Sequence, residues 1–274
     1  MKVAYLGPVG SFTHNVAVSA FPQAELVPMA TITEVMKAYE VGQVVYAIVP
    51  VENSIEGSVH ESLDYLFHQG ELPVVAEVVQ PIKQQLLAVR QRESFETIYS
   101  HPQAIAQAKK YVKAHYPEAK LVPTASTAYA ARYVAEHPEA AIAAIAPEEA
   151  ARAYDLTIVA RDIQEIDENF TRFWVLGAKT PLLPLKAGER KMSLAFTLPD
   201  NLPGALYKAL SVFAWRGIDL TKIESRPLKT NLGEYFFIVD CLVDGSDLPR
   251  YALEELQAIG IYYQLLGTYT VYAL

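Results

Sequence analysis

The sequence predicts an α/β protein in two parts, a larger region of alternating strands and helices followed by a ferredoxin-like β-α-β-β-α-β unit. Three observations carry this. Short apolar runs ended by Gly, Pro or polar residues alternate with stretches of helical periodicity as far as residue 177. The segment TPLLPLKAGER, residues 180–190, then breaks the pattern with two prolines, a glycine and charges, as a linker does. Beyond it the order becomes strand, helix, strand, strand, helix, strand.

Residues 3–6 form a first strand, stopped by Gly7-Pro8. Helices are expected over 11–21 and 33–39, the second opened by a Thr-x-x-Glu cap region. The apolar run 44–50 is a buried strand, followed by a polar turn and a helix near 58–67. Strands at 74–79 and 85–89 precede a helix over 102–115, which Pro102 opens. A strand at 120–122, a helix at 126–136, a small-residue strand at 140–144 and a helix at 148–153 follow. The chain returns through 159–177, ending in ENFTRFWVLG. After the linker come strand 192–198, helix 204–215, strands 219–227 and 234–243, helix 249–258 and strand 263–272. Repeated β-α alternation implies parallel sheets, with ligands at the carboxyl ends of strands and helix N-termini facing them.

Composition narrows the function classes. Of 274 residues 51% are hydrophobic and 20% charged, which suits a globular protein of two or three modest domains. With 23 Lys and Arg against 31 Asp and Glu the formal charge is −8, which disfavours nucleic-acid or anionic-membrane partners. No stretch is long and apolar enough for a membrane span, and the short apolar start lacks signal-peptide features, so a cytoplasmic location is expected. Cys241 stands alone, and the six histidines lack metal-ligand spacing. Nucleotide-binding glycine motifs, a P-loop, His-Glu-x-x-His and Gly-x-Ser-x-Gly are all missing, so no cofactor or metal is expected.

What remains is a set of polar clusters at strand-to-helix junctions. Gly7 to Thr13, with Gly10 and Ser11, could offer free backbone N–H groups to an anion, or be an ordinary turn and cap. Glu52, Asn53 and Ser54 stand directly after a core strand, where such folds place their crevice. Ser100 can cap the helix opened by Pro102, and Gln103 and Gln107 share a face of that helix at i,i+4. Thr171 and Arg172 sit between aromatic residues at the head of an apolar strand. They read either as β propensity beside a solvent-facing cation, or as an anion site beside an apolar wall.

Taken together, GPVGSFTHNVA (7–17), VPVENSIEGSV (49–59), SHPQAIAQ (100–107), STAYAA (126–131) and NFTRFWVLG (169–177) resemble prephenate dehydratase. LPGALYKALSVFAWRGIDLTKIESRP (202–227) resembles the phenylalanine-binding ACT regulatory domain of that family. The likeness runs in register over essentially the whole chain. It implies a periplasmic-binding-protein-like catalytic region of residues 1–180, with lobes of about 1–78 plus 158–180 and 79–157, and an ACT domain of 191–274. The cleft between lobes would hold Thr171, Glu52, Asn53, Ser100 and Gln107 as catalytic residues. Ser54, Gly10, Ser11, Arg172 and Phe173 would be substrate-binding, with packing as the alternative for Arg172 and Phe173. The implied reaction takes prephenate to phenylpyruvate, CO₂ and water, with Thr171 at the departing hydroxyl and Glu52 or a relayed water supplying the proton.

The resemblance also implies feedback inhibition by L-phenylalanine, bound at Gly204, Ala205, Leu206, Asp219, Glu224, Ser225 and Arg226 between subunits. The protein would then be a homodimer or homotetramer through its ACT domains. The family often has Asp where Glu165 stands and usually Asn where Asp219 stands. Three other readings remain at this point: an arogenate dehydratase, a non-catalytic amino-acid sensor or solute-binding protein on the same two-lobed cleft, and an unregulated enzyme whose last domain serves only oligomerisation.

Overall fold

A computed structural model of the chain describes residues 1–69, 72–198, 203–228 and 234–274. Its first elements are β1 (Lys2–Leu6), α1 (Phe12–Ala20), β2 (Glu25–Met29), α2 (Ile32–Glu40), β3 (Tyr46–Asn53), β4 (Gly57–Ser58), α3 (His60–His68) and β5 (Val74–Pro81). Next come β6 (Gln85–Ala88), β7 (Thr97–Ser100), α4 (Pro102–His115), β8 (Lys120–Pro123), α5 (Thr127–Glu136), β9 (Ile142–Ala146), α6 (Glu148–Tyr154) and β10 (Thr157–Ala160). The chain ends with β11 (Phe170–Gly177), β12 (Lys186–Thr197), α7 (Ala205–Ala214), β13 (Leu220–Pro227), β14 (Tyr235–Leu242), α8 (Leu248–Ala258) and β15 (Tyr263–Ala273).

Helix starts follow local chemistry. Ser11 Oγ accepts from His14 N at 3.1 Å and Ser126 Oγ from Tyr129 N at 3.0 Å, each satisfying a donor the helix leaves free. At α2 the cap is reciprocal in kind: Thr31 Oγ1 accepts from Glu34 N, and Glu34 accepts from Ala30 N. The cap of α4 is His101, whose Nδ1 accepts from Gln103 N at 3.4 Å, so Ser100 does not cap it.

Two sheets organise the molecule. The larger runs β13-β14-β12-β15-β5-β11-β3-β1-β2, with β4 beside β3, and the smaller runs β10-β6-β9-β7-β8. Both are mixed, correcting the expectation of parallel sheets. β1 pairs parallel with β2 and β3, but β11 lies antiparallel between β3 and β5 because it re-enters from the opposite end. The chain leaves the larger sheet through β5 into β6 and returns from β10 into β11, so two crossovers join the sheets.

Sequence reading missed β2 and β7. β2 is an edge strand carrying Pro28, and β7 has four residues, too few for a periodic signal. The linker reading also fails over residues 186–190. Lys186 and Ala187 pair with Ala273 and Tyr272, so a polar stretch is drawn into β12 by a partner far along the chain.

β12 to β15 form the β-α-β-β-α-β unit in the order β13-β14-β12-β15, and this unit is not a separate sheet. Thr270 to Ala273 pair in parallel with Ala76 to Val79, so β15 extends the sheet that contains β5 and β11. Phe67 of α3 stacks on Phe236 of β14 with ring centroids 3.9 Å apart, closing the seam with apolar surface. At Gly267 the strands meet so closely that a Cβ would lie 2.1 Å from the Val74 carbonyl oxygen. A backbone oxygen has no rotamer to turn away. Gly267→Ala is therefore expected to destabilise the protein by about 3 kcal/mol, the upper end for overpacking, read from the urea midpoint.

Candidate functional site

A cavity of about 290 Å³ opens between the two sheets at the crossovers. From the lobe of the larger sheet it is lined by Leu6, Ser11, Pro50, Asn53, Thr171 and Phe173, and from across the cleft by Gln84, His101, Gln103, Gln107 and Ser126. The first turns of α1, α4 and α5 all border it, through Phe12 and Thr13, Gln103 and Ala104, and Thr127. Three helix N-termini thus present their free N–H groups and positive dipole ends to one space. No Lys or Arg is among its described lining residues. Helix dipoles and amides of this kind suit an anion, even in a chain of net charge −8.

β3 and β11 pair with Asn53 opposite Thr171, which sets the centre of the site. Asn53 Nδ2 donates to Thr171 Oγ1 at 3.0 Å and to Asn169 Oδ1 at 2.8 Å. Asn169, fully buried, donates through Nδ2 to Gln107 Oε1 at 3.1 Å. Gln103 Nε2 donates to Asn53 Oδ1 at 3.4 Å, and that oxygen also accepts from the backbone N–H groups of Ile55 and Glu56. One amide network therefore runs from α4 across the cleft to Thr171. Because Thr171 Oγ1 receives a hydrogen bond from Asn53, its own O–H is left to donate elsewhere.

Two buried atoms on the cavity wall have no partner, Gln107 Nε2 and Gln84 Oε1. A buried orphan of this kind costs about 1–3 kcal/mol, and a polar ligand in the cavity relieves it. Sequence reading passed over Gln84, Asn169 and Glu56. Gln84 lies just past β5 with no motif around it, while Asn169 stands within NFTRF but was not assigned to the site. Glu56 is the sole carboxylate among the described lining residues, and His101 the sole imidazole.

Several expected site residues lie elsewhere. Glu52 and Arg172 do not border the cavity, since side chains alternate across a strand and theirs point to the opposite face from Asn53 and Thr171. There Arg172 binds Glu52 at 2.6 Å, Glu77 at 2.5 Å and Asp240 at 2.7 Å. Burial alone would raise the Glu77 and Glu52 pKa values. Arg172, Lys191 and Trp174 outweigh it at Glu77, and Lys222 and Arg172 at Glu52, so both carboxyls are held below the usual range. Burial likewise opposes the charge on Arg172, but Asp240 and Glu77 more than restore it, raising its pKa. Glu52 is thus a paired anion and no proton donor to the cleft.

Ser100 is fully buried and donates to the Ile145 carbonyl at 2.6 Å, which ties β7 to β9 without reaching the cavity. Ser54 Oγ accepts from Phe170 N at 2.9 Å and fastens the loop to β11. Gly10 is not a lining residue; its φ of +81° and the 3.0 Å approach that a Cβ would make to Ala150 explain why glycine stands there. Ser11 and Phe173 do line the cavity, Phe173 as buried wall.

In the C-terminal unit, Gly204 caps α7 at φ +83° and Ala205 lines a second cavity of about 370 Å³ with Lys208, Trp215 and Glu255, while Leu206 packs on that unit's core. Asp219 lies past the other end of α7, beside Arg190 and Arg216. Ten helical residues separate them by about 15 Å, so one chain does not bring Gly204 and Asp219 together. Glu224 and Arg226 are turned into the seam with β4 and α3. Arg226 pairs with Asp64 at 3.1 Å, and Glu224 pairs with Lys222 at 3.2 Å and bonds the Ser58 hydroxyl. Neither is free to hold an amino acid. Ser225 points the other way and is exposed.

Two α/β lobes joined by two crossovers, with a polar-lined cleft between them and a ferredoxin-like unit sheeted onto one lobe, define a two-lobed ligand-binding fold carrying an extra module. Within that class the chain belongs to the prephenate dehydratase family, whose model matches residues 3–181. It is 52% identical to the prephenate dehydratase of Lactococcus lactis subsp. lactis, covering 100% of this chain and 99% of that one. A solved prephenate dehydratase from Streptococcus mutans is 48% identical, covers 99% of both chains and superposes with a TM-score of 0.67. Another, from Arthrobacter aurescens in complex with L-Phe, is 32% identical, covers 98% of this chain and 89% of its own, and has a TM-score of 0.86.

Proposed function

We propose that the protein converts prephenate into phenylpyruvate, CO₂ and water in the cleft bordered by Asn53, Gln107 and Thr171. The convergence of three helix N-termini and the amide network on one cavity carries this reading, since prephenate is a dianion with a single hydroxyl. As the bond from the ring to its carboxylate breaks, those electrons enter the ring. The bond to the hydroxyl breaks with them, and aromaticity supplies the driving force. Thr171, fixed as a donor by Asn53, hydrogen-bonds the departing oxygen. The proton that completes water comes from His101, Glu56 or a water, those two being the acid-base groups among the described lining residues. Gln107 Nε2 suits a carboxylate, and Gln84 Oε1 suits the hydroxyl.

Arogenate carries an ammonium in place of the keto group. The only carboxylate among the described lining residues is the exposed Glu56, so prephenate is the better match. Incubating purified protein with each substrate, following phenylpyruvate from one and phenylalanine from the other, tests this. A higher kcat/KM on arogenate would overturn the assignment.

L-Phenylalanine is the proposed effector, in line with the L-Phe complex of the Arthrobacter aurescens relative. Its carboxylate would meet the N-terminus of α7 at Gly204 to Leu206, and its ammonium Asp219. With about 15 Å of helix between them, the site closes only when a second copy supplies the other end, which makes a dimer or tetramer through the C-terminal units part of the proposal. Asp219→Ala is expected to raise the phenylalanine concentration for half-inhibition by roughly tenfold or more, the value of one charge-assisted hydrogen bond. Turnover without effector should stay near the parent's. Unchanged affinity by calorimetry would remove Asp219 from the site.

A further inference from the structure

We propose that the C-terminal unit positions the catalytic pair from behind, through Asp240 and Lys222. The proposal rests on the reading that Thr171 and Asn53 work in the cleft. Arg172 follows Thr171 in sequence and Glu52 precedes Asn53. On β11 and β3 the register sets Thr171 opposite Asn53 and Arg172 opposite Glu52. Alternation turns the first pair to the cavity and the second to the seam with β13 and β14. In that seam Asp240 of β14 binds Arg172 at 2.7 Å, and Lys222 of β13 binds Glu52 at 3.0 Å. Arg172 binds Glu52 at 2.6 Å, which completes a chain of alternating charge, Asp240–Arg172–Glu52–Lys222.

Both outer members are fixed within the C-terminal side. Asp240 Oδ1 accepts from Ser193 Oγ at 2.5 Å, and Ser193 meets the Tyr269 hydroxyl at 2.5 Å. Lys222 also pairs with Glu224 at 3.2 Å. On the catalytic side the β3–β11 ladder shifts register between Arg172 and Phe173. Pairing with β3 is locally interrupted there, beside Thr171, while pairing with β5 runs unbroken from Phe170 to Val175. The side-chain ion pairs reinforce the strand on the β3 side, where the ladder is irregular. A shift of β13 and β14 against β3 and β11 draws on Arg172 and Glu52, and each is one peptide bond from a cleft residue. An effector that favours one placement of the C-terminal unit thereby acts on Thr171 and Asn53 without entering the cleft. Asp240 and Lys222 are positioning residues; neither is a lining residue of the cavity.

The test uses full-length Asp240→Asn, which keeps size but removes charge, Lys222→Met, which keeps length, and Lys222→Arg, which keeps charge. Asp240→Asn and Lys222→Met are expected to lower kcat on the order of tenfold, the scale of a sub-ångström misplacement, with KM near the parent value. Lys222→Arg should retain most of kcat, and the two charge-removing variants should show a shifted half-inhibition by phenylalanine. Added to Thr171→Ala, either should cost little more, because the group it positions is already gone. Parental kcat and an unshifted phenylalanine response in folded Asp240→Asn and Lys222→Met would overturn the proposal, as would fully additive losses with Thr171→Ala. If Asp240→Asn fails to fold, Lys222→Met, on the edge strand, decides by the same criteria. Near-normal turnover in Thr171→Ala itself would instead sink the reading of the cleft, a separable outcome.

Discussion

Thr171→Ala is expected to lower kcat by roughly 10²-fold or more while the fold and the thermal transition stay close to the parent's. The hydroxyl is held at 3.0 Å from Asn53 Nδ2 as an acceptor, so its proton is directed away from Asn53. Removing it deletes the donor to the departing oxygen but uncovers no charge, since Asn53 keeps Asn169 Oδ1 as an acceptor. Thr171→Ser restores the donor and should recover much of the loss, less the precision given by the missing methyl group. Steady-state assays on prephenate separate the terms: a fall in kcat with KM nearly constant marks a contact made in the transition state. Parental turnover in a folded Ala variant would take Thr171 out of the mechanism.

The second large effect concerns stability. Arg172→Met is expected to cost about 3–5 kcal/mol, the range for breaking a buried ion pair from one side. Glu77 and Asp240 are fully buried, and both rely on the guanidinium. Lys191, at 3.4 Å, still reaches Glu77, which sets the lower end of the expectation. Urea unfolding with fluorescence detection measures it.

The pH dependence gives an independent sign. In the parent the native pKa values of Glu52 and Glu77 are depressed, so their stabilisation is present above the ordinary glutamate range and lost as pH falls through the native values. Without Arg172, burial dominates at Glu77 and pushes its pKa upward. The variant should therefore gain stability on mild acidification where the parent does not. A variant within about 1 kcal/mol of the parent, with the parent's pH profile, would show that the cluster carries little stability.

Much of the fold was legible in the sequence because it is local. Caps at Ser11, Thr31 and Ser126 are satisfied within three residues, and α4 occupies the span its periodicity and Pro102 mark out. The polar residues at the end of β3 and at the head of β11 also marked the cleft, and Asn53, Gln107 and Thr171 do meet there. Glu52, Ser54, Ser100 and Arg172 show where such reading stops. A motif marks a neighbourhood, but adjacent strand residues face opposite ways, and only the covering elements say what each face meets.

Sequence alone determined the helices, most of the strands, the caps at Ser11, Thr31 and Ser126 and the family, since each depends on residues a few positions apart or on motifs in register. Tertiary structure alone decided that β15 pairs with β5, that β11 runs antiparallel between β3 and β5, and that Arg172 turns to Asp240 rather than to a substrate. The physical reason is range. A cap closes within one turn of chain, whereas the Arg172–Asp240 pair spans 68 residues and forms only when two units bury a shared seam dry enough to require it.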